Sequence, residues 1–271
     1  MEPESRYREM PACYNDNETL ACIARRSSTR AFDPMRPPTE EQRAAVLHAA
    51  SRAPSAGAMM LYSIIDIQER TTLERLAVLC DDQPFIAKAP WALVFVVDYA
   101  KWMDLFAALE LAADEPRGIR PPGRGELAIA AQDAVAAAQT AVIAAEAVGL
   151  GSCYIGDVVE NAEDVAELLD LPPYTLPLSM LVIGTPAKER PVTPHAVENL
   201  VMSERYRRAD AATRAAQVAE MDALYRPHAT EPGARVQDIY HRKHMSAFMA
   251  EMDRSLARWC ANWTGEGSLR V

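Results

Sequence analysis

Arg25, Arg26 and Arg30 bracket Ser27 and Ser28 in one eight-residue run, RRSSTRAF, Arg25 to Phe32. Guanidinium forks make bidentate, charge-assisted hydrogen bonds to phosphate and serine hydroxyls add short donors, so this run suits a phosphate monoester. The plainer use of the same residues is as surface arginines after a helix. A second run, APSAGAMM (Ala53 to Met60), opens on Pro-Ser-Ala-Gly, which lets a backbone pass close to a ligand without side-chain obstruction. An ordinary helix-to-strand loop has the same composition. A third run, GLGSCYIGD (Gly149 to Asp157), closes a helix with glycine, continues as a short apolar strand and stops at Gly156. Backbone N–H groups exposed there would face a flat ligand; a core strand after a glycine-closed helix is the plainer alternative.

Other residues carry weaker signals. His241 and His244 sit one helical turn apart in HRKH, but no carboxylate or cysteine cluster accompanies them, and a solvated basic face explains them better than a metal. Cys153 lies between Ser152 and Tyr154 in the apolar strand and reads as a buried, inert thiol with nothing nearby to lower its pKa. Trp102 and Phe106, four apart, suit stacking over a substrate and core contact equally. Trp259 and Trp263 read as docking residues of the C-terminal tail.

The elements that must position these runs follow from periodicity and capping. Leu127 to Val148 is almost all Ala, Val, Ile and Leu, broken by a thin stripe of Gln132, Gln139 and Glu146, with Asp133 and Thr140 beside it. Such a helix is apolar around most of its circumference and must be buried on several sides. Its longest uncharged run, Ala134 to Ala145, is too short for a membrane span of roughly 20 residues. Asn15 with Glu18, Thr39 with Gln42, and Thr71 with Glu74 have capping-box spacing, predicting helices to about Arg26, Arg52 and Cys80. Strands are expected at Leu61–Ile67, Trp91–Val97, Ser152–Ile155 and Pro177–Gly184, with short helices at Lys101–Leu111 and Glu163–Leu169. Residues 99–125 form a Gly-, Pro- and Arg-rich surface excursion, of the kind that often covers an active site. Helices with one apolar face are expected at Glu198–Arg208, Ala212–Tyr225 and Val236–Trp263. The alternation of helices and strands, with a helical tail, argues for an α+β or α/β fold.

The 271 residues allow one large domain with an appendage, and 49% hydrophobic residues support a real core. A net charge of −10 argues against general affinity for nucleic acid or an anionic membrane. Five scattered cysteines without a CxxC pair suit reduced thiols, and the polar start MEPESRYREM lacks a signal-peptide core, so a soluble, cytoplasmic protein is expected.

RRSSTRAF, APSAG (Ala53–Gly57), QPFIAKAPWALVFVVD (Gln83–Asp98) and GLGSCYIGD, in this order, resemble the nitroreductase family of FMN-dependent oxidoreductases. The resemblance implies a nitroreductase-like α+β fold: a mixed sheet flanked by helices, with the long helix buried at a homodimer interface. The implied domains are an arm at 1–14, an FMN-binding domain at 15–206 with 99–125 as its lid, and a helical extension at 207–271. FMN would be the cofactor and NADH or NADPH the reductant, with two-electron, ping-pong hydride transfer through flavin N5 to a small organic acceptor. Arg26, Ser27 and Ser28 would hold the phosphate and ribityl chain, with Arg30 at the N1–O2 edge. Pro54, Ser55, Ala56, Gly57 and Ala58 would contribute a second loop, with Ser55 reaching across a subunit boundary. Gln83 and Tyr154 would line the cofactor, and the backbone N–H of Ile155 or Gly156 would face N5. Met60 and Tyr62, with Trp102 and Phe106, would form the substrate side. The sequence departs from the family pattern at Ala58 and Met60, where Asn and Gln are usual, and at Asp82. The late phosphate contact would fall to His195, or to Lys188 or Arg190. Reductive dehalogenation, flavin fragmentation, biosynthetic dehydrogenation and non-catalytic flavin binding are the alternatives on the same scaffold.

Overall fold

A computed structural model describes residues 11–14, 16–111, 118–188, 192 and 200–269. In chain order the helices are α1 (Glu18–Arg25), α2 (Glu40–Ser51), α3 (Arg70–Leu79), α4 (Pro84–Ala87), α5 (Ala100–Ala108), α6 (Arg124–Ala147), α7 (Ala162–Leu168), α8 (Ala211–Tyr225), α9 (Ala234–Ile239) and α10 (Ala247–Thr264). The strands are β1 (Tyr62–Ile67), β2 (Trp91–Asp98), β3 (Gly151–Ile155) and β4 (Thr175–Gly184). Two compact units result: Met1–Arg25 with Pro191–Ala250, and Arg26–Arg190 with Glu251–Val271. The stretch 207–271, expected as one extension, is therefore divided between them.

The larger unit is built on a four-stranded sheet in the order β1-β2-β4-β3, all neighbours antiparallel. Among the described residues the one parallel pairing is an isolated bridge between Ser28 and Ser152. β2 is buried from Trp91 through Val97, as its unbroken apolar run requires of a central strand. The β2–β4 register slips where Val96 faces Pro177 and Phe95 faces Ser179, leaving Leu178 as the extra residue. Pro177 has no N–H for the ladder, so a bulge is accommodated there at little further loss. α6 packs against all four strands and against α2. Ala130, Ala134, Ala137, Ala141 and Ala145 are fully buried at helical spacing, and alanine lets the helix approach the sheet closely. The helix meets the length and composition of a membrane span, yet these alanines lie in the core. Its burial is incomplete within one chain, because Ile129 is 43% and Val135 49% exposed.

The Thr39–Gln42 capping box forms as expected, and the Gln42 amide also donates to the Val148 carbonyl, joining the start of α2 to the end of α6. Other caps differ. Asn15 lies outside the described residues, and α1 is capped by Asn17, whose Oδ1 accepts from the Leu20 N–H at 3.0 Å. Glu74 does not close a box with Thr71; it pairs with Arg70 one turn earlier, and the helix already starts there. The segment expected as Val236–Trp263 is two helices separated by a wide turn at Tyr240–His244. Residues 200–208, expected to be helical, form no helix; the first part of that segment lies outside the described residues.

Candidate active site

The arginine segment is laid along the β3 edge of the sheet. Thr29 donates its N–H to the Ser152 carbonyl at 2.9 Å, Asp33 to Thr185 at 2.8 Å, and Ala187 donates back to Ala31 at 3.0 Å. Two glycines make room for it. A Cβ at Gly151 would sit 2.1 Å from the Thr29 hydroxyl oxygen, and one at Gly184 would sit 2.7 Å from the Pro90 ring and 2.8 Å from Phe32. These glycines face each other in the β3–β4 register. With Thr29 buried, its neighbours Ser28 and Arg30 face outward, in the two-residue alternation of extended chain. The Arg30 guanidinium lies 5.8 Å from the centroid of the Phe85 ring, and Arg26 is half-buried.

The end of β3 belongs to the same neighbourhood. Burial pushes the Cys153 thiol up, while Arg30, a hydrogen bond with Ser28, and Arg26 pull it back in that order, and Asp157 adds to the rise. Charged groups that lower the thiol are thus close by, contrary to the expectation, but burial outweighs them and the thiol stays neutral. Tyr154 is pushed up to about 12, chiefly by burial and against the pull of Arg26. Its hydroxyl meets the Gln139 side-chain oxygen on α6 at 3.4 Å. The first and third motifs are therefore brought together.

The β3–β4 ladder ends at Ile155–Met180, and Gly156 follows with an exposed backbone. Its φ of −79° is open to any residue, and a Cβ there would meet nothing of this chain within 4 Å. Neither conformation nor packing within the chain explains glycine at this position. Behind it, the Gln83 amide donates to Asp157 Oδ2 at 2.5 Å and to the Cys80 carbonyl at 2.8 Å. Gln83, expected against the cofactor, thus has its amide engaged within the chain, bolting the 80–83 turn to the Gly156–Asp157 corner.

The second loop enters β1, at the opposite edge of the sheet. Gly57, Ala58 and Met60 all have left-handed backbone, with φ of 58°, 55° and 45°. Pro54, Ala56, Gly57 and Ala58 are exposed. The Ser55 hydroxyl donates to Asp133 Oδ2 at 2.7 Å and accepts from the Met60 N–H at 2.6 Å, so this side chain is committed to the loop itself. Ala56 and Leu61 donate their N–H groups to the same carboxylate. In the sequence Asp133 is only a neighbour of a polar stripe; a carboxylate set between the buried alanines Ala130 and Ala134 of α6 is the available signal.

The expected substrate side divides. Met60 is exposed, whereas Tyr62 is buried with the core residues and its hydroxyl donates to the Ala50 carbonyl. Trp102 is half-buried, donates its indole N–H to the Met59 carbonyl at 3.0 Å, and packs 5.9 Å from Phe106. Lys101 beside it donates to the Tyr62 carbonyl, and burial holds its ammonium below the usual lysine range. Lys188 is exposed just past Ala187. Arg190 and His195 lie outside the described residues. His241 and His244 pack against Tyr240, and among the described residues no group of three His, Cys, Asp or Glu side chains is placed to hold a metal.

An antiparallel sheet backed by an alanine-rich core helix, with an arginine–serine strip along the strand that ends at a glycine, defines an α+β protein of the nitroreductase fold. The family model described as "Nitroreductase family" matches residues 23–185, and the chain belongs to that family. It is 33% identical over 168 residues to the oxygen-insensitive NADPH nitroreductase of Salmonella typhimurium, a match spanning 62% of this chain and 66% of that protein, just under two thirds of its length. It is 33% identical over 185 residues to the FMN reductase [NAD(P)H] of Bacillus subtilis, spanning 68% of this chain and 72% of that protein. Among solved structures, the NADPH:FMN oxidoreductase from Vibrio harveyi complexed with NAD+ superposes with a TM-score of 0.69 at 25% identity, covering 84% of this chain and 98% of that one.

Proposed function

We propose that this protein is an FMN-dependent NAD(P)H oxidoreductase. The observation that carries the reading is the lie of the Arg26–Arg30 segment along β3, paired with it at Ser152, on the strand that ends at the open Gly156. The residues fit FMN: arginine and serine side chains suit its terminal phosphate, and Gly156, unneeded by the chain itself, leaves the space a planar ring requires. When bound, FMN would supply two-electron, ping-pong hydride chemistry between NAD(P)H and a small organic acceptor of the nitroaromatic or quinone class. Arg26 and Ser28, with Ser27, hold the phosphate end. Arg30 supplies fixed positive charge where negative charge develops on reduction. The backbone N–H of Ile155 or Gly156 would be the donor toward the reactive edge of the ring. No side-chain acid or base is assigned a proton.

The second loop lies at the β1 edge and the other two motifs at the β3 edge, which supports a site completed by a second copy of the chain. The partly exposed apolar residues of α6 support the same homodimer. The five cysteines are free thiols, which accords with a cytoplasmic location. The assignment is tested by an absorbance spectrum before and after NADPH, and by chromatography of heat-released flavin. A yellow protein bleached by NADPH and yielding about one FMN per chain is expected. Release of FAD alone, or failure of added FMN to bind, overturns it.

A further inference from the structure

We propose that Asp133 is the positioning residue of the second cofactor loop: its buried carboxylate holds residues 55–61 in the shape that presents Pro54, Ala56, Gly57 and Ala58. The proposal rests on the FMN reading for what the loop contacts, but not for what holds the loop.

A carboxylate is a poor choice for the sheet-facing side of a helix whose neighbours, Ala130, Ala134 and Ala137, are fully buried. Burying it is tolerable only if hydrogen bonds replace lost water. Among the described residues those bonds all come from one loop: the Ser55 hydroxyl at 2.7 Å and the Leu61 N–H at 3.3 Å on Oδ2, and the Ala56 N–H at 3.0 Å on Oδ1. Ser55 passes the contact on, accepting from the Met60 N–H at 2.6 Å. One side chain therefore fixes both ends of the loop and, through Ser55, its last left-handed residue. The conformation so held is unfavourable by itself, since Ala58 and Met60 adopt the left-handed region without being glycine. Polar groups at Ser55, Ala56 and Leu61 are spent on Asp133, while residues 56–58 remain exposed on their other side. The loop is anchored on one side and presented on the other. Lys101 and Trp102 brace its exit, through the Tyr62 and Met59 carbonyls, but neither contacts Ser55 or Ala56 in these bonds.

The test uses the full chain, flavin-free and FMN-loaded, with Asp133→Asn and Asp133→Ala. Asn keeps the shape but has only one acceptor oxygen for three donors, so it separates packing from hydrogen bonding. Amide hydrogen exchange of flavin-free protein is the first readout. Protection of the Ala56 and Leu61 amides is expected to fall at least roughly tenfold in both variants, with the β2 amides unchanged. FMN titration is the second, with roughly tenfold weaker binding expected in both. Unchanged protection in Asp133→Asn overturns the anchoring, whether or not FMN binds. Lost protection with FMN affinity within about twofold of the parent chain overturns the role toward the cofactor. If the parent chain binds no FMN, the functional reading fails, while the exchange data still judge the anchor.

Discussion

Gly151 and Gly156 stand at the two ends of one short strand and are small for opposite reasons. At Gly151 the chain itself needs the space: a Cβ would overlap the Thr29 hydroxyl, so Gly151→Ala should shift the arginine segment and cost about 1–3 kcal/mol in a denaturant titration. At Gly156 nothing of the chain is displaced. Gly156→Ala should leave the melting temperature of the flavin-free protein unchanged yet weaken FMN binding by roughly tenfold or more. Intact FMN affinity in that variant would remove the reason for placing the ring there. Arg26 and Arg30 separate in the same way. Arg26→Ala should remove a charge-assisted phosphate contact of about 1.5–3 kcal/mol, weakening FMN roughly 10- to 150-fold. Arg30→Ala should keep much of the FMN but lower its midpoint potential by ~30 mV for each ~1.4 kcal/mol of lost differential stabilisation. Spectroelectrochemistry on both variants checks this, and an unchanged potential in Arg30→Ala removes that residue from the reactive edge.

At the scale of elements, the end of α10 is a core element of the larger unit rather than an accessory. Trp259 and Trp263 are fully buried and donate their indole N–H groups to the Val159 and Gly123 carbonyls. Trp259→Ala should therefore cost about 3–5 kcal/mol. The same helix supplies the missing start of α7, whose first residue follows a left-handed Asn161 without a side-chain cap. Glu251 accepts from the Asn161 N–H, and the Ser255 hydroxyl from the Ala162 N–H. Glu251 and Glu163 are each held at about 2, both by hydrogen bonds from Arg254 first of all. Folded values below the ordinary 4.5 mean that this contribution is fully present above about pH 4.5 and is lost as pH falls through about 2. Both side chains are partly exposed, so the contribution is modest. An acid titration followed by tryptophan fluorescence should show the α7–α10 contact loosening in that window, with a smaller response in Glu163→Gln.

For the whole molecule, assembly is the decisive measurement. Ile129 and Val135 leave apolar surface on a helix otherwise packed into the core, and the motifs occupy opposite edges of one sheet. Light scattering at low micromolar concentration should give twice the 29.8 kDa chain mass. Val135→Glu, which puts a charge on that exposed position, should shift the protein toward monomer and weaken FMN binding together. A flavin-loaded monomer would show that one chain completes the site.

The sequence by itself determined whatever depends on neighbours in the chain. The Thr39–Gln42 box, the apolar run of β2, the alanine helix and the arginine–serine segment were legible because capping, periodicity and composition act over a few residues. Where two local pairings compete, that reading fails: Glu74 looked like the partner of Thr71, and Arg70 holds it instead. Tertiary structure alone decided which polar groups meet across the fold. Asp133 reaches Ala56 across 77 positions, Gln83 meets Asp157 across 74, and Ser255 caps Ala162 from 93 residues away. Such partners share no period or local composition, because a buried hydrogen bond requires only that two groups come within reach after the sheet has formed.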